Sequence, residues 1–237
     1  MPQNTKNAIL VFLKAPVKST VKTRLAQSLG EDLTLDLYKC FILDVLQKAE
    51  KTGELILHYY PVDNEKSVAD FVGHYDREPQ HGSDLGERME HALSSTFEKG
   101  YEKSVLIGTD IPDIPVDYLH DAFKALDKND AVIGPSQDGG YVMIGFNREG
   151  FSQAVFKGVS WSTSTVCEKT LEIMDLNRIS CHKLPLWYDV DTGEDYNALI
   201  QRLESGQASA PHTWDFIQRN QFQAHETSDL RHYSCPE

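Results

Sequence analysis

Two hydrophobic periodicities alternate along this chain. Ala8-Ile-Leu-Val-Phe-Leu13 is a continuous aliphatic run, the pattern of a strand covered on both faces of a parallel sheet. Leu55 to Tyr60, Ser104 to Gly108 and Ala131 to Gly134 repeat it, and the segments between are long enough for crossover helices. Within those segments Leu33, Leu37, Phe41, Val45 and Ala49 recur at helical spacing, as do Leu85, Met89, Ala92 and Leu93. These stripes predict core-facing helices. Pro112 and Pro115 close the turn after the third run, where Tyr118, Leu119, Ala122 and Leu126 predict a further amphipathic helix. Thr192 and Asp195 predict a capping box, with Asp in place of Glu or Gln, ahead of Tyr196, Leu199 and Leu203. A short helix is expected over 214–219. The alternation predicts an α/β fold with one domain over 1–223 and a frayed polar tail over 224–237, without internal repeat or linker.

Composition narrows the function. The 23 basic and 36 acidic residues give a net charge of −13, which repels a nucleic-acid partner. The four cysteines, Cys40, Cys167, Cys181 and Cys235, lack CxxC spacing, so they are read as reduced thiols. The opening apolar run is too short for a signal peptide or a membrane span, and a cytoplasmic location is expected.

Against this acidic background, Lys14-Ala-Pro-Val-Lys-Ser-Thr-Val-Lys-Thr-Arg24 places Lys14, Lys18, Lys22 and Arg24 just after the first strand. Ligands of open α/β sheets bind beyond the carboxyl ends of the strands, and backbone N–H groups at a helix start favour anions. A phosphate-rich ligand fits there, although a solvated basic loop is the plainer reading, and neither a P-loop nor a dinucleotide-binding glycine motif is present. Gly108-Thr-Asp-Ile-Pro112 delivers Asp110 from a buried strand into the same crevice, where a hard cation shared with phosphate oxygens offsets the cost of burying a carboxylate. A turn or N-cap role is the alternative. Asp189 and Asp191, just before the capping box, are alternative metal ligands as much as joint ones, or helix caps. Ser136-Gln-Asp-Gly-Gly-Tyr141 reads as a turn between strands, where Gly139 and Gly140 permit positive φ or close approach to a ligand. In His81-Gly-Ser-Asp-Leu-Gly-Glu-Arg88, Asp84 can accept from a ribose or base and Arg88 lies one turn on, while capping by Ser83 or Asp84 is simpler. Trp161 and Ser162 sit in a hydroxyl-rich stretch that reads as an acceptor wall or an N-cap region. No GxSxG elbow or zinc spacing is present, and His58 and His74 read as structural or exposed.

Taken in order, KAPVKSTVKTRLAQSLG, HGSDLGERM, GTDIPDIP, GPSQDGGYVMIGF, VSWSTSTV and LPLWYDVDTGEDY resemble the glycosyltransferase-A-like family, in its rSAM/selenodomain-associated or arsenosugar-biosynthesis group. The resemblance runs from about Ala8 to Leu203 and implies a three-layer α/β/α nucleotide-diphospho-sugar transferase fold with a mixed, mainly parallel sheet. It implies donor contacts for Lys14, Ala15, Pro16, Lys22, Arg24, Asp84, Arg88 and Thr109, and Mg²⁺ or Mn²⁺ on Asp110, Asp191 and Asp189. On the acceptor side it implies Gly139, Gly140, Tyr141, Trp161 and Ser162, with Asp138 or Asp84 as base. The departure is Lys18-Ser19, where the family tends to have Pro-Gly. The skeleton also resembles small guanylyltransferases, which share the basic loop and a DVDT-type segment. Three functions follow: glycosyl transfer from a nucleotide sugar to a small-molecule acceptor, nucleotidyl transfer from an NTP with release of pyrophosphate, or nucleotide binding without turnover. A homodimer is left open.

Overall fold

The computed structural model describes residues 6–220; the tail expected over 224–237 and Cys235 lie outside them. Seven strands, β1 (Asn7–Lys14), β2 (Glu54–Tyr60), β3 (Arg77–Pro79), β4 (Lys103–Gly108), β5 (Ala131–Pro135), β6 (Tyr141–Asn147) and β7 (Cys181–Lys183), form one sheet in the order β3-β2-β1-β4-β6-β5-β7. β6 is antiparallel to both its neighbours, and every other pairing is parallel. The helices are α1 (Thr23–Leu29), α2 (Glu31–Ala49), α3 (Glu65–Val72), α4 (Leu85–Glu98), α5 (Val116–Ala125), α6 (Val166–Leu176), α7 (Gly193–Glu204) and α8 (211–220).

Because side chains alternate across a strand, the aliphatic run of β1 feeds two separate cores. Ile9, Val11 and Leu13 pack with Leu37 and Phe41 of α2, Leu119 of α5 and Leu199 of α7. Ala8, Leu10 and Phe12 face the other way, onto Met89 and Leu93 of α4 and Met174 of α6. The result is the expected three-layer α/β/α arrangement. A polar face on either side of β1 would expose one of these layers to water, which is why that strand reads as uninterrupted hydrophobic sequence. The predicted capping box forms: Thr192 Oγ1 accepts from the Asp195 N–H at 3.2 Å and Asp195 Oδ2 accepts from the Thr192 N–H at 2.8 Å. Among the described residues Cys40, Cys167 and Cys181 are free, and no helix is long and apolar enough to cross a membrane.

His58 is one of the polar residues buried in the core. It is 3% exposed on β2, its ring stands 5.6 Å from that of Phe12, and its Nε2 is buried without a partner. Burial pushes its pKa down to about 4, against a smaller upward pull from Glu78. The folded chain therefore keeps His58 neutral while the unfolded chain takes up a proton near pH 6.5, so stability falls as pH drops from 6.5 towards about 4. Replacing His58 with Leu should flatten that part of the stability profile, by an amount on the order of 3 kcal/mol for a shift of this size. Chemical denaturation at pH 7, 5.5 and 4.5 checks it: equal pH dependence in the variant and the parent chain refutes the assignment.

Candidate functional site

The loop leaving β1 turns sharply twice. Ser19 and Lys22 both adopt left-handed backbone, with φ of 65° and 48°. Ser19 occupies one of the two positions where the resembling family has Pro-Gly, and the left-handed region is the one glycine enters without steric cost. Its hydroxyl donates to Glu31 Oε2 at 2.7 Å, and Lys18 pairs with Asp32 at 2.6 Å, so the loop is pinned to the start of α2. The left-handed turn at Lys22 sends its side chain inward, where it is 5% exposed. There Lys22 Nζ stands 2.6 Å from Asp110 Oδ1 and 2.6 Å from Asp191 Oδ1. Arg24 Nη2 bonds the second oxygen of Asp191. Burial on its own lowers the Lys22 pKa, but Asp110 and Asp191 more than reverse this and hold the ammonium charged. Burial likewise raises the Asp191 carboxyl, yet Lys22 and Arg24 bring it below the ordinary carboxylate range.

Asp110 is carried by the turn after β4, and Asp191 by the extended segment before α7. Their separation is fixed by backbone and by buried side chains. The Val190 N–H donates to the Asp110 carbonyl at 2.9 Å, with Val190 itself fully buried. Arg202 of α7 donates through Nε to Asp113 Oδ2 at 2.7 Å, and its guanidinium lies 5.0 Å from the ring centre of Tyr188. One side chain thus touches both acidic segments. Lys48 of α2 adds hydrogen bonds to the Pro112 and Ser209 carbonyls. Tyr38 Oη bonds the backbone of Lys14 at 3.1 Å and Thr109 Oγ1 at 3.0 Å, bracing the ends of β1 and β4 against each other.

Lys14, Lys22, Arg24, Tyr38, Thr109, Asp110 and Asp191 border a cavity of about 600 Å³ at the carboxyl edge of the sheet. Of the sequence-predicted residues, Lys14, Lys22, Arg24, Arg88, Thr109, Asp110, Tyr141 and Asp191 line it. Ala15 and Pro16 do not; Ala15 is buried and its N–H donates to the Tyr60 carbonyl at 2.7 Å. Asp84 caps α4, accepting from the Glu87 N–H at 2.8 Å, and borders a different hollow of about 510 Å³. Asp189 is off the cavity wall, and burial, then Asp191 and Asp138, push its carboxyl up to about 6. Among the described residues no group of three or more His, Cys, Asp or Glu side chains is placed to hold a metal, so Asp110, Asp189 and Asp191 do not make a complete cage.

The expected acceptor residues are also separated. Asp138 Oδ1 accepts from Ser136 Oγ and from the Gly140 N–H, closing the turn on itself. Gly139 has φ +88°, and a Cβ there would stand 1.9 Å from the Ser164 carbonyl oxygen, so the close approach it permits is to backbone. Trp161 packs on Gly86, where a Cβ would stand 2.4 Å from the indole, and Ser162 is exposed with φ 65°. Gly140, Gly139, Trp161 and Ser162 are all absent from the cavity wall. Sequence reasoning missed Tyr38, Tyr60 and Gln80, which line it. Gln80, a polar residue directly after a strand and before the HGSDLGERM segment, carried a readable signal; Tyr38 was hidden on the edge of a helical stripe.

Comparison with known proteins places this geometry. A crystal structure from Desulfovibrio desulfuricans, described as that of a candidate nucleotide-diphospho-sugar transferase, is 36% identical, with a TM-score of 0.86 over 94% of this chain and 98% of that one. The 2-phospho-L-lactate guanylyltransferase of Methanocaldococcus infernus is 24% identical over 185 residues, 77% of this chain and 80% of that protein. A Mycobacterium tuberculosis protein crystallised in complex with manganese, 18% identical, shares the fold at a TM-score of 0.53 over 83% of this chain and 99% of that one. The fold is that of nucleotidyl and nucleotide-diphospho-sugar transferases. Residues 43–163, just over half of the chain, match the family model described as "Uncharacterized protein conserved in bacteria (DUF2064)", and the chain belongs to that family.

Proposed function

We propose that this protein transfers a sugar from a nucleoside-diphosphate donor to a hydroxyl of a small-molecule acceptor, with a divalent cation held between Asp110 and Asp191. The observation that carries the reading is the Lys22 ammonium 2.6 Å from both carboxylates: the two side chains already converge on a single positive charge. The donor set is all oxygen and contributes two carboxylates, which suits Mg²⁺ or Mn²⁺ completed by phosphate oxygens and water. Bound there, the metal would supply Lewis-acid neutralisation of the departing diphosphate.

The chain's own residues do the remaining work. Lys14, Lys22 and Arg24 hold phosphate oxygens at the mouth of β1, and Thr109 adds a hydroxyl from the end of β4. Charge that develops on the leaving diphosphate as the anomeric C–O bond breaks meets donors already fixed in place. The acceptor oxygen forms the new bond to the anomeric carbon and gives its proton to a carboxylate; Asp138 and Asp189 both lie off the cavity wall, so the acceptor must extend beyond it to reach either. Tyr141 is the acceptor-side residue that borders the cavity. The likeness to the Desulfovibrio protein over nearly the whole chain supports sugar transfer as the first reading. Nucleotidyl transfer from an NTP is the second, favoured by the four basic side chains lining one cavity and by the guanylyltransferase relative.

In a thermal-shift panel with Mn²⁺, UDP-, GDP- or dTDP-sugars should raise the midpoint; saturation to a hundredfold over Kd corresponds to about 2.7 kcal/mol, roughly 5–10 °C for a chain of this length. Stabilisation by NTPs alone rejects sugar transfer in favour of nucleotidyl transfer. Asp110→Asn should abolish the Mn²⁺-dependent part of the shift, and an unchanged shift removes Asp110 from the metal site. Lys22 competes with the metal for both carboxylates. Lys22→Met should therefore strengthen Mn²⁺ binding without nucleotide, read by paramagnetic relaxation, and weaken donor binding roughly tenfold or more as one charge-assisted contact is lost. Unchanged metal affinity would show that the ammonium does not occupy the metal position.

A further inference from the structure

The pairing of β1 with β4 stops before the site, and a side chain takes over from it. The last paired residues are Phe12 and Gly108. Further along β1, Lys14 turns its backbone N–H and carbonyl to the β4 side, because the β2 side belongs to Ala15, whose N–H donates to the Tyr60 carbonyl. There the buried Tyr38 of α2 fills the place of a strand partner. The Lys14 N–H donates to Tyr38 Oη at 3.1 Å, Oη lies 3.1 Å from the Lys14 carbonyl oxygen, and Thr109 Oγ1 lies 3.0 Å from Oη.

These three contacts fix the proton of each hydroxyl. A carbonyl only accepts, so the contact of Oη with the Lys14 carbonyl uses the phenol proton. Oη then accepts from the Lys14 N–H, and with no proton left it can meet Thr109 only as an acceptor. Thr109 therefore spends its hydroxyl proton on Tyr38 and keeps its lone pairs. Tyr38 lines the cavity too, but its hydroxyl is fully engaged by these three partners. Thr109 lines the cavity directly before Asp110, so the hydroxyl it brings to the site is an acceptor, set among basic groups that gather acceptors.

We propose that Tyr38 is a positioning residue that acts through Thr109: by taking the Thr109 proton it makes that hydroxyl select an O–H donor and leaves phosphate oxygens to Lys14, Lys22 and Arg24. The proposal rests on the nucleotide-donor reading above. Two sources supply such an O–H group, a sugar hydroxyl of the ligand and a water on the divalent cation. An ionised phosphate oxygen carries no proton and would meet Thr109 lone pair to lone pair.

Calorimetry on the full chain reads the polarity of Thr109 with inorganic pyrophosphate, ribose 5-phosphate and inorganic phosphate, all without metal, and with Mn²⁺ alone. Tyr38→Phe removes Oη and frees the Thr109 proton to point into the cavity. Pyrophosphate should then bind roughly three- to tenfold more tightly, the worth of one hydrogen bond. The probe that supplies the O–H group should lose a similar factor: Mn²⁺ if a metal-bound water donates, ribose 5-phosphate relative to phosphate if a sugar hydroxyl does. Adding Thr109→Val to Tyr38→Phe should abolish the gain for pyrophosphate. Loosening of the strand ends alone would weaken every probe. A uniform loss, an unchanged pyrophosphate affinity, or a gain for pyrophosphate with no loss for either of the others overturns the proposal. If Tyr38→Phe does not fold, Thr109→Val decides: weaker pyrophosphate binding shows a donating hydroxyl and overturns the proposal, whereas equal or tighter binding supports it. A parent chain that binds neither pyrophosphate nor Mn²⁺ instead rejects the nucleotide-donor reading, and the proposal falls with it.

Discussion

The buried ammonium of Lys22 is the charge on which the site's geometry depends. Asp110 and Asp191 come from segments 81 residues apart in the chain, and two carboxylates brought this close would repel without a cation between them. Lys22 reaches that point because its backbone turns left-handed, which directs a long side chain into the crevice instead of out to solvent. A lysine at this place is therefore the counter-ion of both carboxylates. Arg24, 64% exposed in its side chain, is less constrained and can follow an incoming anion outward.

The fold supplies the rigidity that this arrangement needs. β1 and β4 are adjacent and parallel, so their carboxyl ends emerge side by side, and both the basic loop and Asp110 lie there without any long excursion of chain. Asp191 is not on a strand of the sheet. It is held by the backbone hydrogen bond from Val190 to Asp110 and by α7, whose capping box starts immediately after it. Arg202 then ties α7 back to Asp113, which is fully buried on its side chain. A paired charge of this kind is costly to break because its partner is left without water. The network makes the spacing of the two carboxylates a property of packed elements and not of a loop.

Much of the fold was legible because its signal is local. The aliphatic runs of β1, β2, β4 and β5, the stripes of α2, α4 and α5, and the cap of α7 each arise from periodicity or a short motif. β3 and β7 have three residues each, too few to show any period, and their pairing depends on neighbours distant in sequence. The site divides the same way. Lys14, Lys22, Arg24 and Asp110 follow directly from strand ends. Gly139 and Trp161 looked like ligand contacts because glycine and tryptophan serve packing and binding equally well in sequence; only the position of the Ser164 carbonyl and of Gly86 shows that packing claims them. Of Asp189 and Asp191, it is Asp191 that pairs with Lys22 and Arg24, a contact between segments far apart in the chain that no local pattern shows.

The local electrostatics differ from those of the whole molecule, and that difference favours one class of ligand. The chain carries a net charge of −13, so its long-range field repels polyanions. Inside the crevice, Lys14, Lys22, Arg24 and Arg88 share the lining with Asp110 and Asp191, four positive charges against two negative. Adding a divalent cation would leave that small volume with a surplus of positive charge and few ways for water to disperse it. A polymer with a phosphate at every residue would meet the global repulsion along its length. A small, multiply charged anion meets only the local surplus and, at distances beyond a Debye length of about 8 Å, feels little of the rest. Charge distribution and cavity size thus suit a small, multiply charged anion, with its anionic groups at the ends of β1 and β4.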